Sequence, residues 1–139
     1  MRKPLVFVSH VQSDATFARK LVFTLRAKGA DVFVADHTGG GPLSNEIRKA
    51  IERAQVFVVL VSKDFLSSHW GMFEVGAVVG RYWESRDSII LPVLMGNVRR
   101  QDIPPPLRQF HAIEGRFGEF ALSNKVIAAL SSIGPRSIP

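Results

Sequence analysis

The chain has 139 residues, of which 46% are hydrophobic, and carries a formal net charge of +6. This length suits one globular domain with a substantial core and is too short for two domains. Because there is no cysteine, disulfides, thiolate metal sites and a cysteine nucleophile are excluded. The four histidines lie far apart in the sequence, so we expect no metal site.

The eighteen lysines and arginines are spread along the chain, without a basic stripe interleaved with aromatic residues. We therefore expect a solvated surface with no nucleic-acid partner, although a modest positive field also favours a small ligand that carries phosphate. The first apolar run is too short for a signal peptide, and no stretch is long enough to span a membrane. These features predict a cytoplasmic protein with no membrane partner.

Short apolar runs alternate with amphipathic segments along the whole chain. Strands are predicted at 5–8, 32–35, 56–61 and 89–94, with a short fifth strand at 112–113. Helices are predicted at 14–28, 44–53, 68–83 and 120–133. The first helix has Ser13 available as its cap. The three prolines at 104–106 are taken to exclude a regular helix within 99–110.

This order of elements predicts an α/β fold of three layers, in which helices cover both faces of a five-stranded parallel sheet. The size favours the flavodoxin-like strand order 2-1-3-4-5, whose ligands bind at the C-terminal ends of strands one and three. Three segments should meet there: Ser9-His10, the loop at 39–42 and the segment 62–74. We assign residues 1–133 to the domain and 134–139 to a tail that starts a linker to a sensor or oligomerisation domain.

Glu74 is the strongest candidate for a functional residue. A helix that begins at Ser67 or Ser68 places Trp70 and Glu74 one turn apart, beside the predicted ligand edge. A single glutamate on a helix is more often a solvated surface residue, and Trp70 could equally pack into the core. The position near the switch point of the sheet favours a functional role for the pair.

Several common nucleotide and hydrolase motifs are absent. The first strand is not followed by Gly-x-Gly-x-x-Gly, and the chain has neither a phosphate-binding Gly-Lys-Ser/Thr nor a Gly-x-Ser-x-Gly nucleophile elbow. A phospho-acceptor domain of the same topology needs acidic residues after the first and third strands. Those places hold Ser9-His10 and Ser62-Lys63, so this class is excluded as well.

Three segments resemble the Toll/interleukin-1 receptor (TIR) domains. They are Val-Phe-Val-Ser-His at 6–10, the glycine-containing loop at 39–43, known in the family as the BB loop, and the run at 60–74 that contains Ser-x-Trp. The resemblance covers about residues 4–131. The BB loop lacks the Arg-Asp pair of animal adaptors and has no basic residue after Leu43, and Phe110-His111 stands in place of Phe-Trp. The resemblance is therefore to the bacterial, NAD⁺-cleaving type.

The resemblance implies that Glu74 is the glutamate with which enzymatic members cleave NAD⁺. The products would be nicotinamide and ADP-ribose or a cyclic ADP-ribose isomer, with NAD⁺ as substrate and no cofactor. Glycosidases need a second acid to protonate the leaving group, but nicotinamide leaves NAD⁺ as a neutral molecule, so one carboxylate suffices. Whether Glu74 stabilises the ribosyl cation or attacks it is left open by the sequence.

The resemblance also suggests which residues hold the substrate. Trp70 would form an apolar wall along the ribose and nicotinamide. Ser9 and His10 would bond the ribose or the phosphates, or would only cap the end of the strand. Gly40 and Gly41 would let the backbone approach the substrate, or would only form a turn.

Family membership would further imply homotypic TIR–TIR association, including filaments, and an assembly-activated effector in bacterial antiviral defence. Two other functions stay open at this point. One is a non-catalytic TIR–TIR interaction module in signalling, and the other is nucleoside deoxyribosyl transfer, which uses a glutamate on a related fold.

Overall fold

The computed structural model describes residues 4–37, 45–85 and 88–133, and for 36–37, 69–74, 85 and 132–133 it describes the backbone alone. Five parallel strands form one sheet in the order β2-β1-β3-β4-β5, which confirms the predicted fold class and strand order. The strands are β1 (Leu5–Val11), β2 (Asp31–His37), β3 (Val56–Val61), β4 (Ile89–Leu94) and β5 (Ile113–Glu114). The predicted loop at 39–42 and the tail at 134–139 lie outside the described residues, so the domain boundary stays a prediction.

The described helices surround this sheet. They are α1 (Ala15–Ala27), α2 (Asn45–Arg53), α3 (Lys63–Leu66), α4 (His69–Ser85), α5 (Pro105–Arg108) and α6 (Gly118–Ile133), with 3₁₀ turns at Gln12–Asp14, Arg100–Asp102 and Gly115–Phe117. None of the helices in the described ranges is long and apolar enough to cross a membrane.

Side chains of the interior strand β1 alternate between two apolar clusters, one on each face of the sheet. Phe7 belongs to the cluster formed with α2 and α4, whereas Val6 and Val8 belong to the cluster formed with α1 and α6. The Phe7 ring stacks on Phe33 at 5.5 Å and contacts Phe57 at 5.6 Å between ring centroids. Each fully buried side chain of this kind stabilises the fold by about 1.5–3 kcal/mol. The apolar runs of the sequence are therefore strands buried on both faces.

Two predictions about helix ends were wrong. Ser13 does not cap α1, because it lies inside the 3₁₀ turn Gln12–Asp14 and Asp14 occupies the cap position without a side-chain bond. The prolines do not exclude helix, since α5 begins at Pro105. The N–H groups of the first helical turn have no partner within the helix, so proline is tolerated there.

The short helix α3, which connects β3 to α4, was not predicted from the sequence. The hydroxyl of Ser62 caps it by accepting a hydrogen bond from the Phe65 N–H at 3.1 Å. Phe65 is fully buried in the core on the α4 side. This turn fixes the path of the chain into α4, which begins at His69, directly after Ser68.

Pro92 lies inside β4 without disrupting the pairing with β3. The N–H of Met95 donates to the Val61 carbonyl at 3.0 Å, so the odd-numbered residues of β4 bond to β3. Pro92 therefore faces β5, whose pairing with β4 begins only at Val93. The N–H group that proline lacks would point to a position at which β5 is not paired with β4, so no hydrogen bond of the sheet is lost.

The Ser62 cap provides a direct test of the α3 turn. Replacing Ser62 by alanine should lower the free energy of unfolding by about 1 kcal/mol, because the first N–H groups of α3 lose their acceptor. Urea unfolding followed by circular dichroism measures the change. Ser67→Ala is the matched control, since the Ser67 hydroxyl is exposed and donates only to the Lys63 carbonyl. An equal loss in both variants would contradict the capping role.

Candidate functional site

The C-terminal ends of β1 and β3 form the edge at which the sequence placed the site. Ser9 of β1 stands between Ala35 of β2 and Val59 of β3 in the sheet register. It is 2% exposed. Because alternate residues of a strand face opposite sides, Ser9 shares the face of Phe7, where α4 packs against the sheet.

His10 faces the opposite side of the sheet, with Val6 and Val8. The residue is 3% exposed, and its Nδ1 lies 2.8 Å from the carbonyl oxygen of Val11. A carbonyl oxygen only accepts, so this bond requires the proton on Nδ1. The ring lines a cavity beside α1 and has no place on the α4 side. The structure therefore separates two neighbouring residues that the sequence analysis grouped at one site.

Trp70 and Glu74 are the second and the sixth residues of α4 (His69–Ser85), one helical turn apart. This confirms the predicted helical spacing of the pair. Their side chains lie outside the described part of the structure, and so do Gly40 and Gly41 entirely. The roles of these four residues, and those of Ser9 and His10 as substrate contacts, stay predictions.

The neighbours of α4 determine which elements can contribute to a site on its side of the sheet. The helix approaches β1, α2, α3 and α5. Val75 and Val78 anchor its middle turns in the core. The helix that carries Glu74 is thus attached to the two strand ends through β1 and through the α3 turn after β3.

Asp14 is a polar residue at this edge to which the sequence analysis gave no role. Its Oδ2 is buried and has no hydrogen-bond partner among the described residues. Buried carboxylate oxygens are normally bonded, so this one is an acceptor available to a ligand hydroxyl or a water molecule. The described residues contain no group of three or more histidines, aspartates or glutamates placed to bind a metal ion.

A cavity of about 680 Å³ lies on the α1 side of the sheet. His10 lies at one end of it, next to Ala15, and Arg19 and Arg26 of α1 line it further along. The sequence analysis did not find this cavity. Its only sequence signal was a row of small residues and arginines on one side of the first predicted helix.

The family of this chain is identified by its match to a protein-family model. The sequence model of the TIR domain family matches residues 6–126. The chain belongs to the TIR domain family. The match begins at the second residue of β1, includes the other four strands and ends within α6.

Two curated proteins are similar to this TIR domain. The Stimulator of interferon genes protein of Magallana gigas is 28% identical over 128 residues, which cover 90% of this chain and 31% of that protein. NAD(+) hydrolase TcpC of Escherichia coli is 29% identical over 100 residues, which cover 70% of this chain and 32% of that protein. The TIR domain thus spans about a third of the length of these relatives.

A solved structure supports the fold of this TIR domain. The crystal structure of the RPS4 and RRS1 TIR domain heterodimer superimposes with a TM-score of 0.71 at 21% identity, and the match covers 94% of this chain and 98% of that one. At this identity the likeness supports the three-layer architecture alone.

The tautomer of His10 can be measured directly. We expect the neutral ring to carry its proton on Nδ1, because that atom donates to the Val11 carbonyl. Long-range ¹H–¹⁵N correlation spectra in mildly alkaline buffer, where histidine rings are neutral, report which nitrogen is protonated. The exposed His111 is the internal control and should show the Nε2–H tautomer that the unconstrained histidine side chain prefers. An Nε2–H pattern for His10 would contradict its placement.

Proposed function

We propose that this TIR domain is an NAD⁺ glycohydrolase that breaks the bond between nicotinamide and ribose. The products are nicotinamide and either ADP-ribose or a cyclic ADP-ribose isomer, and NAD⁺ is the substrate, with no cofactor. The observation that carries the proposal is the position of Glu74. It lies one turn after Trp70 in α4. Over 100 residues the chain is 29% identical to a protein named as an NAD⁺ hydrolase.

The proposed reaction needs only one carboxylate. When the bond from the ribose C1′ to nicotinamide breaks, its electron pair neutralises the pyridinium and nicotinamide leaves without protonation. Positive charge then develops on the ribosyl group, and the Glu74 carboxylate stabilises that charge or attacks C1′. In hydrolysis, water adds its oxygen to C1′ and releases a proton to the solvent. In cyclisation, a nucleophile within the same ADP-ribose takes the place of water.

We propose different tasks for the two residues at the end of β1, because they lie on opposite faces of the sheet. Ser9 lies on the α4 face, so we propose it as a residue that bonds the ribose or orders the strand end beside it. His10 lies on the far face and bonds the Val11 carbonyl, so we propose that it positions the end of β1 without contacting NAD⁺. Trp70 would supply an apolar wall, and Gly40 and Gly41 would allow close approach of the backbone.

We further propose that this activity depends on self-association of TIR domains, including filaments, in a cytoplasmic effector of bacterial antiviral defence. The surface offers apolar groups for such contacts. Phe117, which ends the 3₁₀ turn before α6, and Phe120, in the first turn of α6, are 63% and 64% exposed. The Lys28 ammonium lies 5.2 Å from the Phe120 ring centroid. Large apolar side chains grouped in water are typical of surfaces that bind other proteins.

The same two exposed phenylalanines also support the alternative function, a non-catalytic TIR–TIR interaction module. Such a module needs the contact surface but not the carboxylate. The two proposals therefore differ in what happens to NAD⁺, and they share the expectation of self-association.

Replacement of Glu74 by glutamine tests the catalytic proposal. Nicotinamide release from NAD⁺ should fall by about 100-fold or more, because the neutral amide no longer stabilises positive charge on the ribose. Chromatographic measurement of nicotinamide over time gives the rate. Glu84→Gln is the matched control, since this exposed glutamate lies near the other end of α4. Equal turnover by wild type and Glu74→Gln would refute the assignment.

The proposed self-association makes the rate of nicotinamide release per molecule depend on protein concentration. Nicotinamide release per molecule should rise as the protein is concentrated, and Phe120→Ser should weaken this rise by removing exposed apolar surface. Lys125→Ser, at another exposed position of α6, should have no such effect. Turnover strictly proportional to protein concentration would contradict assembly. Self-association without nicotinamide release at any concentration would favour the non-catalytic alternative.

A further inference from the structure

We infer that the groove between α1 and the edge strand β2 binds a small amphipathic carboxylate, a molecule with an apolar body of acyl type and one anionic head. The groove has a volume of about 680 Å³, within the range of roughly 300–1,000 Å³ typical of small-molecule sites. It lies on the α1 side of the sheet, opposite the face packed by α4. The inference does not depend on the proposed NAD⁺ activity.

The walls of the groove are mostly apolar. Ala18 and Val22 contribute from successive turns of α1, and Val34 contributes from β2. Alanine at positions 15 and 27 leaves space where a longer side chain would fill the groove. These walls can remove a hydrocarbon chain from water, which stabilises binding by about 0.8 kcal/mol for each buried CH₂ group.

Phe23 lies at the rim and is 76% exposed. An apolar ring beside an apolar groove is left in water at a cost in free energy, and a bound acyl chain would cover it. The exposed ring and the open groove are adjacent parts of one apolar surface.

Two arginines give the groove its charge. Arg26 donates from Nη2 to the Val32 carbonyl at 3.2 Å. Because the N–H of Asp31 donates to Pro4, beside β1, the next residue Val32 directs its carbonyl away from β1 at the edge of the sheet. Arg26 therefore spans from α1 to the outer edge of β2 and closes one end of the groove.

Arg19 has no comparable partner. Its Nη2 lies 3.5 Å from the Thr16 hydroxyl, which is long for a hydrogen bond. Within the described part of the chain neither Arg19 nor Arg26 forms an ion pair. The Arg19 guanidinium, about 10 Å from Arg26 along the helix axis, thus keeps donors for a bidentate carboxylate.

The apolar walls and the two arginines together favour one class of ligand. A nucleotide or sugar has many polar groups that the apolar walls could not bond, and a cationic amphiphile would be repelled by the two guanidinium groups. The groove extends from Ala15 to Ala27, about 18 Å along α1, which accommodates a chain of roughly ten carbons with its head at Arg19.

A fluorescent fatty-acid probe, dansyl-labelled undecanoate, tests the inference on the whole chain. We expect saturable binding with enhanced emission and displacement by decanoate. Decanol, decyltrimethylammonium and AMP should compete at least tenfold more weakly, because each lacks the anionic head or the apolar body. Absence of saturable binding, or equal displacement by decanol, would overturn the inference.

Variants on α1 locate the bound probe. Ala27→Trp, at an exposed position, should fill the groove and weaken binding more than tenfold, and Phe23→Ser should weaken it several-fold. Arg19→Glu should weaken binding about tenfold. Arg19→Lys should weaken it less, because the ammonium keeps the positive charge but cannot bond the carboxylate in bidentate form. Lys20→Glu makes the same change of charge at a neighbouring exposed residue outside the groove and should leave affinity unchanged. Equal effects of Arg19→Glu and Lys20→Glu, in variants with unchanged circular dichroism, would refute a site in this groove.

Discussion

Burial of β1 and β3 on both faces is the constraint on which the rest of the structure depends. Every residue of the two strands is buried, so helices must cover the sheet on both sides. The chain therefore leaves the C-terminal end of β1 towards α1 on one side, and leaves β3 through α3 towards α4 on the other. The ends of β1 and β3 therefore lie beside two different surfaces, one on the α1 side of the sheet and one on the α4 side. Because side chains alternate along β1, Ser9 faces the α4 side and His10 faces the α1 side.

The two surfaces have different chemistry. On the α4 side, a short capped turn after β3 leads directly into the helix that carries Trp70 and Glu74, with Ser9 on the facing strand. On the α1 side, His10 lies at the end of an apolar groove lined by two arginines. We propose NAD⁺, whose nicotinamide leaves as a neutral molecule, as the ligand of the first surface and an amphipathic anion as the ligand of the second. β1 contributes His10 to the surface on the α1 side and Ser9 to the surface on the α4 side. A ligand bound at either surface therefore lies beside the same strand.

The sequence was sufficient for the architecture because its signals are local and strong. The continuous apolar run of β3 is six residues long and rich in valine, which is typical of a buried strand, and alternation with helices then implies parallel order. The errors occurred where local rules compete. Ser13 is a good cap by type, but a 3₁₀ turn precedes α1, and proline is compatible with the first turn of α5. The predicted strand order already placed β2 at the edge of the sheet. The groove was missed because it depends on how α1 packs beside that strand, which no single segment reveals. The opposite facing of Ser9 and His10 followed from strand alternation but was overlooked, because the two were treated as one motif.

A crystal structure of the Glu74→Gln variant with NAD⁺ bound would show where the substrate lies, since the variant should bind it without consuming it. We expect the nicotinamide ribose on the α4 side of the sheet, above the ends of β1 and β3, with C1′ about 3.5 Å from the side chain at position 74. Ser9 should face the ribose, and His10 should remain on the far side. NAD⁺ bound in the groove beside α1, or with its ribose remote from position 74, would refute the role of Glu74.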